Sequence, residues 1–150
     1  MNTIEQRLTT VRARITQAEI QYGRPPGSVR LLAVSKTRPL ADIEVAIALG
    51  QHCFGESYLQ DALPKIEALG HDNLEWHFIG PIQSNKTQAI ARHFDWVHSI
   101  EREKIARRLS EQRPADLPPL NLCIQVNISG EANKSGVSPD QVQPLAKLIQ

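Results

Sequence analysis

Cysteine, aromatic residues and net charge are all scarce in this chain, and each scarcity removes a class of protein. Only Cys53 and Cys123 are present, far apart and each within an apolar run. A disulfide-stapled secreted scaffold is therefore excluded, and buried reduced thiols are expected. Aromatic residues make up 5% of the chain and the formal net charge is +1. No basic excess is available to hold nucleic acid or an anionic membrane surface. No stretch approaches the roughly 18 apolar residues that cross a bilayer. The first residues are polar and of mixed charge, without an apolar signal core, which points to the cytoplasm. A Walker loop, a dinucleotide glycine fingerprint and a nucleophile elbow are missing too. His71, His93 and His98 lack the spacing of a zinc site, so no metal is expected.

What remains is an ordinary globular composition. Hydrophobic residues are 41% and charged residues 22% of 150, enough for one domain with its own core. The opening segment reads as a helix, with Ile4, Leu8, Val11 and Ile15 at helical spacing, Asn2 as N-cap and Glu5 three residues on. Gly23, Pro25 and Pro26 end it. Short apolar strands then alternate with helices. Strands are expected at 30–35, 52–54, 74–79, 94–98 and 120–128. The helices between them fall at 42–49, 58–69, 85–92 and 101–110, with a last one from Pro139. Pro64 is expected to kink or restart the second of these.

Strict strand–helix alternation predicts an α/β fold with a parallel sheet. Two architectures fit, an open doubly wound sheet and a (β/α)8 barrel. The final amphipathic run (Val142, Leu145, Ala146, Ile149) meets no stop signal. Five units also fall short of the eight a barrel needs. The pattern is thus expected to be the N-terminal portion of a longer barrel.

In either architecture active residues gather at the carboxyl ends of strands. There the chain places Ser35-Lys36-Thr37, Gly55-Glu56-Ser57, His77-Phe78-Ile79-Gly80, His98-Ser99 and Asn127-Ile128-Ser129. Lys36 is the sharpest of these. An amine that condenses with a carbonyl must be uncharged when it attacks. Desolvation beside Val34 and the cation of Arg38 would favour that form. The ordinary alternative is a solvated lysine at a strand end. His77 alternates with Trp76 and Phe78, so it either lines a pocket or fills a core. Ser84-Asn85-Lys86 opens a helix and offers either backbone N–H groups for phosphate or a plain N-cap. Glu101, Glu103, Arg107 and Arg108 read as a solvated helix face.

Four strings, in order along the chain, resemble the pyridoxal phosphate homeostasis protein family. They are Leu31–Thr37, Phe54-Gly55-Glu56-Ser57-Tyr58, Trp76–Lys86 and Asn133-Lys134-Ser135-Gly136. The resemblance implies an alanine-racemase-like (β/α)8 barrel that holds pyridoxal 5′-phosphate as a Schiff base on Lys36. Val34, Ser57, His77, Ile79 and Asn127 are the further candidates around the cofactor. It also implies a carrier and regulator of vitamin B6 pools rather than an enzyme. Such a protein is expected to act as a monomer and to serve apoenzymes that use the cofactor. Ser57 stands where the family usually has Asn, and Asp61 where it has Glu. The family's phosphate anchor, a Ser/Gly-rich turn and an Arg-containing segment, lies in barrel units beyond these residues. Two alternatives stay open. One is a racemase-like enzyme, which needs a base on each cofactor face and finds only Lys36 and, less well, Tyr58. The other is an inert half-barrel.

Overall fold

The computed structural model describes residues 3–150 and carries five parallel strands in one sheet. Helix α1 (Ile4–Gln21) leads. Five units follow: β1 (Ala33–Val34) with α2 (Leu40–Ala48), β2 (Cys53–Glu56) with α3 (Leu59–Leu69), β3 (Glu75–Phe78) with α4 (Thr87–His93), β4 (Trp96–Ile100) with α5 (Glu103–Gln112), and β5 (Asn121–Ile124) with α6 (Val142–Ile149). Single 3-10 turns at Ser84–Lys86 and Pro139–Gln141 precede α4 and α6. No described helix is long and apolar enough to cross a membrane.

Strand order decides between the two architectures. The strands lie in chain order, β1-β2-β3-β4-β5. A doubly wound sheet reverses its order at a switch point and places helices on both faces. Here every crossover steps the same way, so right-handed connections put the helices on one face, as in the wall of a barrel. The doubly wound alternative is set aside, and the fold is a five-unit portion of the (β/α)8 barrel.

The ladder register sorts side chains onto two faces. Phe54 pairs with Ala33 and Trp76, Glu56 with Phe78, and Phe78 with Val97. Phe54, Glu56, Trp76, Phe78 and Val97 are at most 2% exposed. The apolar members pack with Ile43, Ile66, Ile90 and Leu109 from the helices into one cluster. Each such side chain fully removed from water contributes about 1.5–3 kcal/mol. The opposite, inner face carries Val34, Cys53, Gly55, Glu75, His77 and Trp96, also in register.

Element boundaries differ from the sequence expectation for local reasons. Asn2 lies outside the described residues. The helix cap is Thr3, whose hydroxyl accepts from Gln6 N while the Gln6 side chain accepts from Thr3 N, a full capping box. β1 shrinks to two residues because it lies at the sheet edge and has ladder partners only in β2. β4 begins two residues later than expected. Phe94 closes α4 instead, its N–H donating to Ile90 O, and packs edge-on against Phe78 at 5.2 Å. β5 ends at Ile124, and Val126 pairs only with Val137. Pro64 does not restart α3, which runs as one helix from Leu59 to Leu69. The carbonyl it leaves without a donor belongs to exposed Gln60, where water can serve. Cys53 and Cys123 are free thiols but half-buried rather than buried. Arg108 is not solvated as expected. It donates to Ser84 O at 3.1 Å and to Thr87 Oγ1 at 3.2 Å, tying α5 to the start of α4.

Candidate functional site

The chain leaves β1 through a tight turn. Ser35 N donates to Gly55 O at 2.9 Å, Arg38 N donates back to Ser35 O at 3.0 Å, and Thr37 takes a left-handed φ of 62°. Lys36 sits on this turn and is exposed. Val34 is 51% exposed, so the desolvation expected at Lys36 is not supplied by the described residues. Val34 and Lys36 leave the inner face exposed here. Arg38 is turned to Asp42, at 3.7 Å.

Beneath the turn, on the helix-covered face, lies a charged network that sequence reasoning did not find. Lys65 of α3 donates to Glu56 Oε1 at 2.9 Å, to Asp61 Oδ2 at 2.7 Å and to Ser35 O at 3.0 Å. Ser35 Oγ donates to the same Glu56 oxygen at 2.6 Å, and Thr37 N donates to Asp61 Oδ2 at 3.0 Å. Glu56 is wholly buried and Lys65 only 6% exposed. The hydrogen bond from Lys65 holds the Asp61 carboxyl below the usual carboxylate range, against the opposing effect of burial. The one available signal was the i,i+4 spacing of Asp61 and Lys65 on a helix that follows Glu56.

The other candidates divide by depth. Ser57 is half-buried just past β2. Ile79 follows β3, its N–H bonded to Glu56 O at 2.9 Å, and its side chain leans over Gly55, where a Cβ would come within 3.2 Å of Ile79 Cδ1. Gly80 meets the backbone oxygen of Ser57 so closely that a Cβ there would lie 2.2 Å away. The mouths of β2 and β3 are thus drawn together by a residue without a side chain.

His77 lies deeper and fills a polar chain on the inner face. Its Nε2 lies 2.8 Å from Glu75 Oε1 and its Nδ1 2.9 Å from His98 Nε2. With both rings neutral, His98 Nε2–H donates to His77 Nδ1 and His77 Nε2–H donates to Glu75, so every contact is satisfied. Burial pushes both histidines below their ordinary value; at His77 the Glu75 carboxylate opposes it. At Glu75 burial acts to raise the carboxyl, but hydrogen bonds from His77 and Arg30 hold it below the usual range. Trp96 stacks on His77 at 5.6 Å.

Ligand atoms of Cys53, Glu75 and His77 lie within 4.8 Å of one another, a trio invisible in linear spacing but implied by the register of β2 and β3. Arg30 already sits 3.0 Å from Glu75 Oε1 and balances its charge.

Asn127 stands apart. Its side chain donates to Glu131 O and Lys134 O and accepts from Gly130 N, so it organises its own loop. Gly136 closes that loop. A Cβ there would lie 2.8 Å from Asn127 N, and Gly136 N donates to Glu101 Oε2 at 2.7 Å. Glu101 therefore precedes α5 and, though exposed, clamps a loop rather than lying on a helix face.

Of the six candidates, the structure brings Lys36, Val34, Ser57 and Ile79 to one carboxyl-terminal rim. His77 sits below it and Asn127 beside it. A sheet wall of sequential parallel strands with a lysine on the turn after the first defines a class before any name does. Residues 7–150 match the alanine racemase N-terminal domain family, and the chain belongs to that family.

Within it, the chain is similar to the pyridoxal phosphate homeostasis protein of Pseudomonas aeruginosa, with 57% identity over 150 residues, 100% of this chain and 65% of that protein. PipY of Synechococcus elongatus, solved with PLP bound, superposes with a TM-score of 0.77 at 34% identity, covering 97% of this chain and 65% of that one. Alanine racemase of Corynebacterium glutamicum shares the fold, at a TM-score of 0.60 and 22% identity over 81% of this chain and 35% of that one. The chain thus spans 65% of the length of the first of these relatives.

Proposed function

We infer that this protein binds pyridoxal 5′-phosphate as a carrier in cofactor homeostasis, through a Schiff base on Lys36. The observation that carries the reading is the place of Lys36: exposed, on the turn that ends β1, at the rim where β2 and β3 also finish. Its amine forms no hydrogen bond or ion pair with another described residue, so an incoming aldehyde displaces nothing. The residues present fit the aldehyde end of such a group. Val34 and Ile79 offer apolar flanks on either side of Gly55, and Ser57 offers a hydroxyl. The cofactor, when bound, supplies an aldehyde and an electron-accepting ring. In the condensation the Lys36 nitrogen forms a C=N bond to the aldehyde carbon, and the aldehyde oxygen leaves as water with the two amine protons.

Carriage is favoured over racemisation because racemisation needs a base on each face of the ring. Tyr58, the one other candidate, is 58% exposed and sits at the start of α3. In this reading residues 1–150 are the N-terminal part of one cofactor-binding barrel domain, in a cytoplasmic monomer that serves apoenzymes. Borohydride reduction after incubation with pyridoxal 5′-phosphate, followed by peptide mapping, tests the reading on the natural full-length protein. An adduct on Lys36, with α-proton exchange of amino acids no faster than with free cofactor, is the expected result. An adduct elsewhere, or none, sinks it.

A further inference from the structure

Among the described residues none bonds or pairs with the Lys36 amine, so its direction is set by its backbone. That backbone is held on both sides by groups from β2 and α3. On the near side Ser35 is fixed through three groups: its N–H to Gly55 O, its hydroxyl to Glu56, and its carbonyl from Lys65. On the far side Thr37 N–H is fixed by Asp61. Thr37 is β-branched and sits at φ 62°, a conformation such residues rarely adopt unless their surroundings hold them there.

The holding groups are unusual in themselves. Glu56 and Lys65 form an ion pair with side chains 0% and 7% exposed, and the second carboxylate oxygen of Glu56 is buried with no hydrogen-bond partner among the described residues. A buried pair is poor value as a stabiliser, since apolar residues of the same volume usually do as well. Its two contacts with Ser35, hydroxyl to Glu56 and carbonyl from Lys65, fall at the residue before the amine and give it another purpose.

We propose that Glu56, Lys65 and Asp61 are positioning residues for Lys36. They clamp Ser35 and Thr37 so that the amine leaves the turn in one direction, and they touch no cofactor themselves. The proposal rests on the reading of Lys36 as the cofactor amine.

The test uses the natural full-length protein and pyridoxal 5′-phosphate. The double variant Glu56→Gln/Lys65→Met removes both buried charges at nearly constant volume. It is expected to melt close to the wild type yet to form the borohydride-trapped Lys36 adduct roughly tenfold or more slowly, as misplacement of a reacting group does. Lys65→Arg, which keeps the cation, is expected to recover part of that rate, a rescue that a merely structural role would not give. If the double variant fails to fold, Asp61→Ala decides instead. Asp61 is half-buried, at 39% side-chain exposure, and its loss frees Thr37 N–H while leaving the buried pair in place; a slowed adduct supports the proposal. Wild-type adduct rates in whichever variant folds overturn it while leaving the cofactor reading intact. Absence of a Lys36 adduct in the wild type overturns both.

Discussion

The two faces of the sheet solve different problems with the same strands. On the helix-covered face, Phe54, Trp76, Phe78 and Val97 are dry and apolar, and the ionic groups there, Glu56 and Lys65, are locked together beneath the β1 turn. On the inner face the polar groups form an open-ended chain, Arg30–Glu75–His77–His98, and the rim above it is left to solvent at Val34 and Lys36. One face is built to be rigid. On the reading proposed above, the other receives the cofactor, and the Ser35 clamp links it to the first.

That contrast can be broken by substitution. The largest effect is expected at Trp76, fully buried with its indole N–H on Gly70 O at 3.0 Å. Trp76→Ala should lower stability by about 3–5 kcal/mol, read as a shift of the urea midpoint. A loss under ~1 kcal/mol would mean that the covered face is not the core. Next is Lys65→Ala, which strands the Glu56 carboxylate in an apolar setting and should destabilise by about 3–5 kcal/mol. The paired change Glu56→Gln/Lys65→Met should recover most of that, and the comparison of the two melts measures how much of the loss is the orphaned charge.

The inner face should show its character in acid. His77 and His98 are held below the ordinary histidine value, chiefly by burial. Folding thus favours their neutral forms. Their contribution is complete above about pH 6.5, the ordinary histidine value, and is lost as pH falls through the lower folded values. Melting temperatures recorded from pH 7.5 downward should decline in the wild type and less steeply in His77→Gln. Parallel profiles would remove His77 from the account. The smallest effect is expected at the rim. Val34→Ser, at a 51% exposed position, should change stability by no more than about 0.5 kcal/mol, and a larger loss in thermal melts would show that Val34 is covered in solution.

Much of this fold was legible because its signals are local. Gly50 and Gly70 follow α2 and α3 with positive φ, as their places after apolar helices implied. Strand ends were less legible because ladders depend on neighbours. β1 is short for want of a second partner, and Phe94 reads as strand but serves a helix end. At the site, Lys36 stood out because a cation after an apolar strand is rare in one dimension. Glu56 and Lys65 did not, because each is unremarkable until β2 and α3 are folded together. The same holds for Cys53 and Glu75, which meet only through strand register. Asn127 organises its own loop, a role that a polar residue past a strand fills as readily as it faces a ligand.

The chain-order arrangement of the strands has a consequence for how the protein is made. From β2 to β5 each strand docks on the one synthesised just before it, with a single helix between. A chain emerging from the ribosome can therefore extend its sheet unit by unit, with each new helix covering the apolar surface that the preceding step exposed.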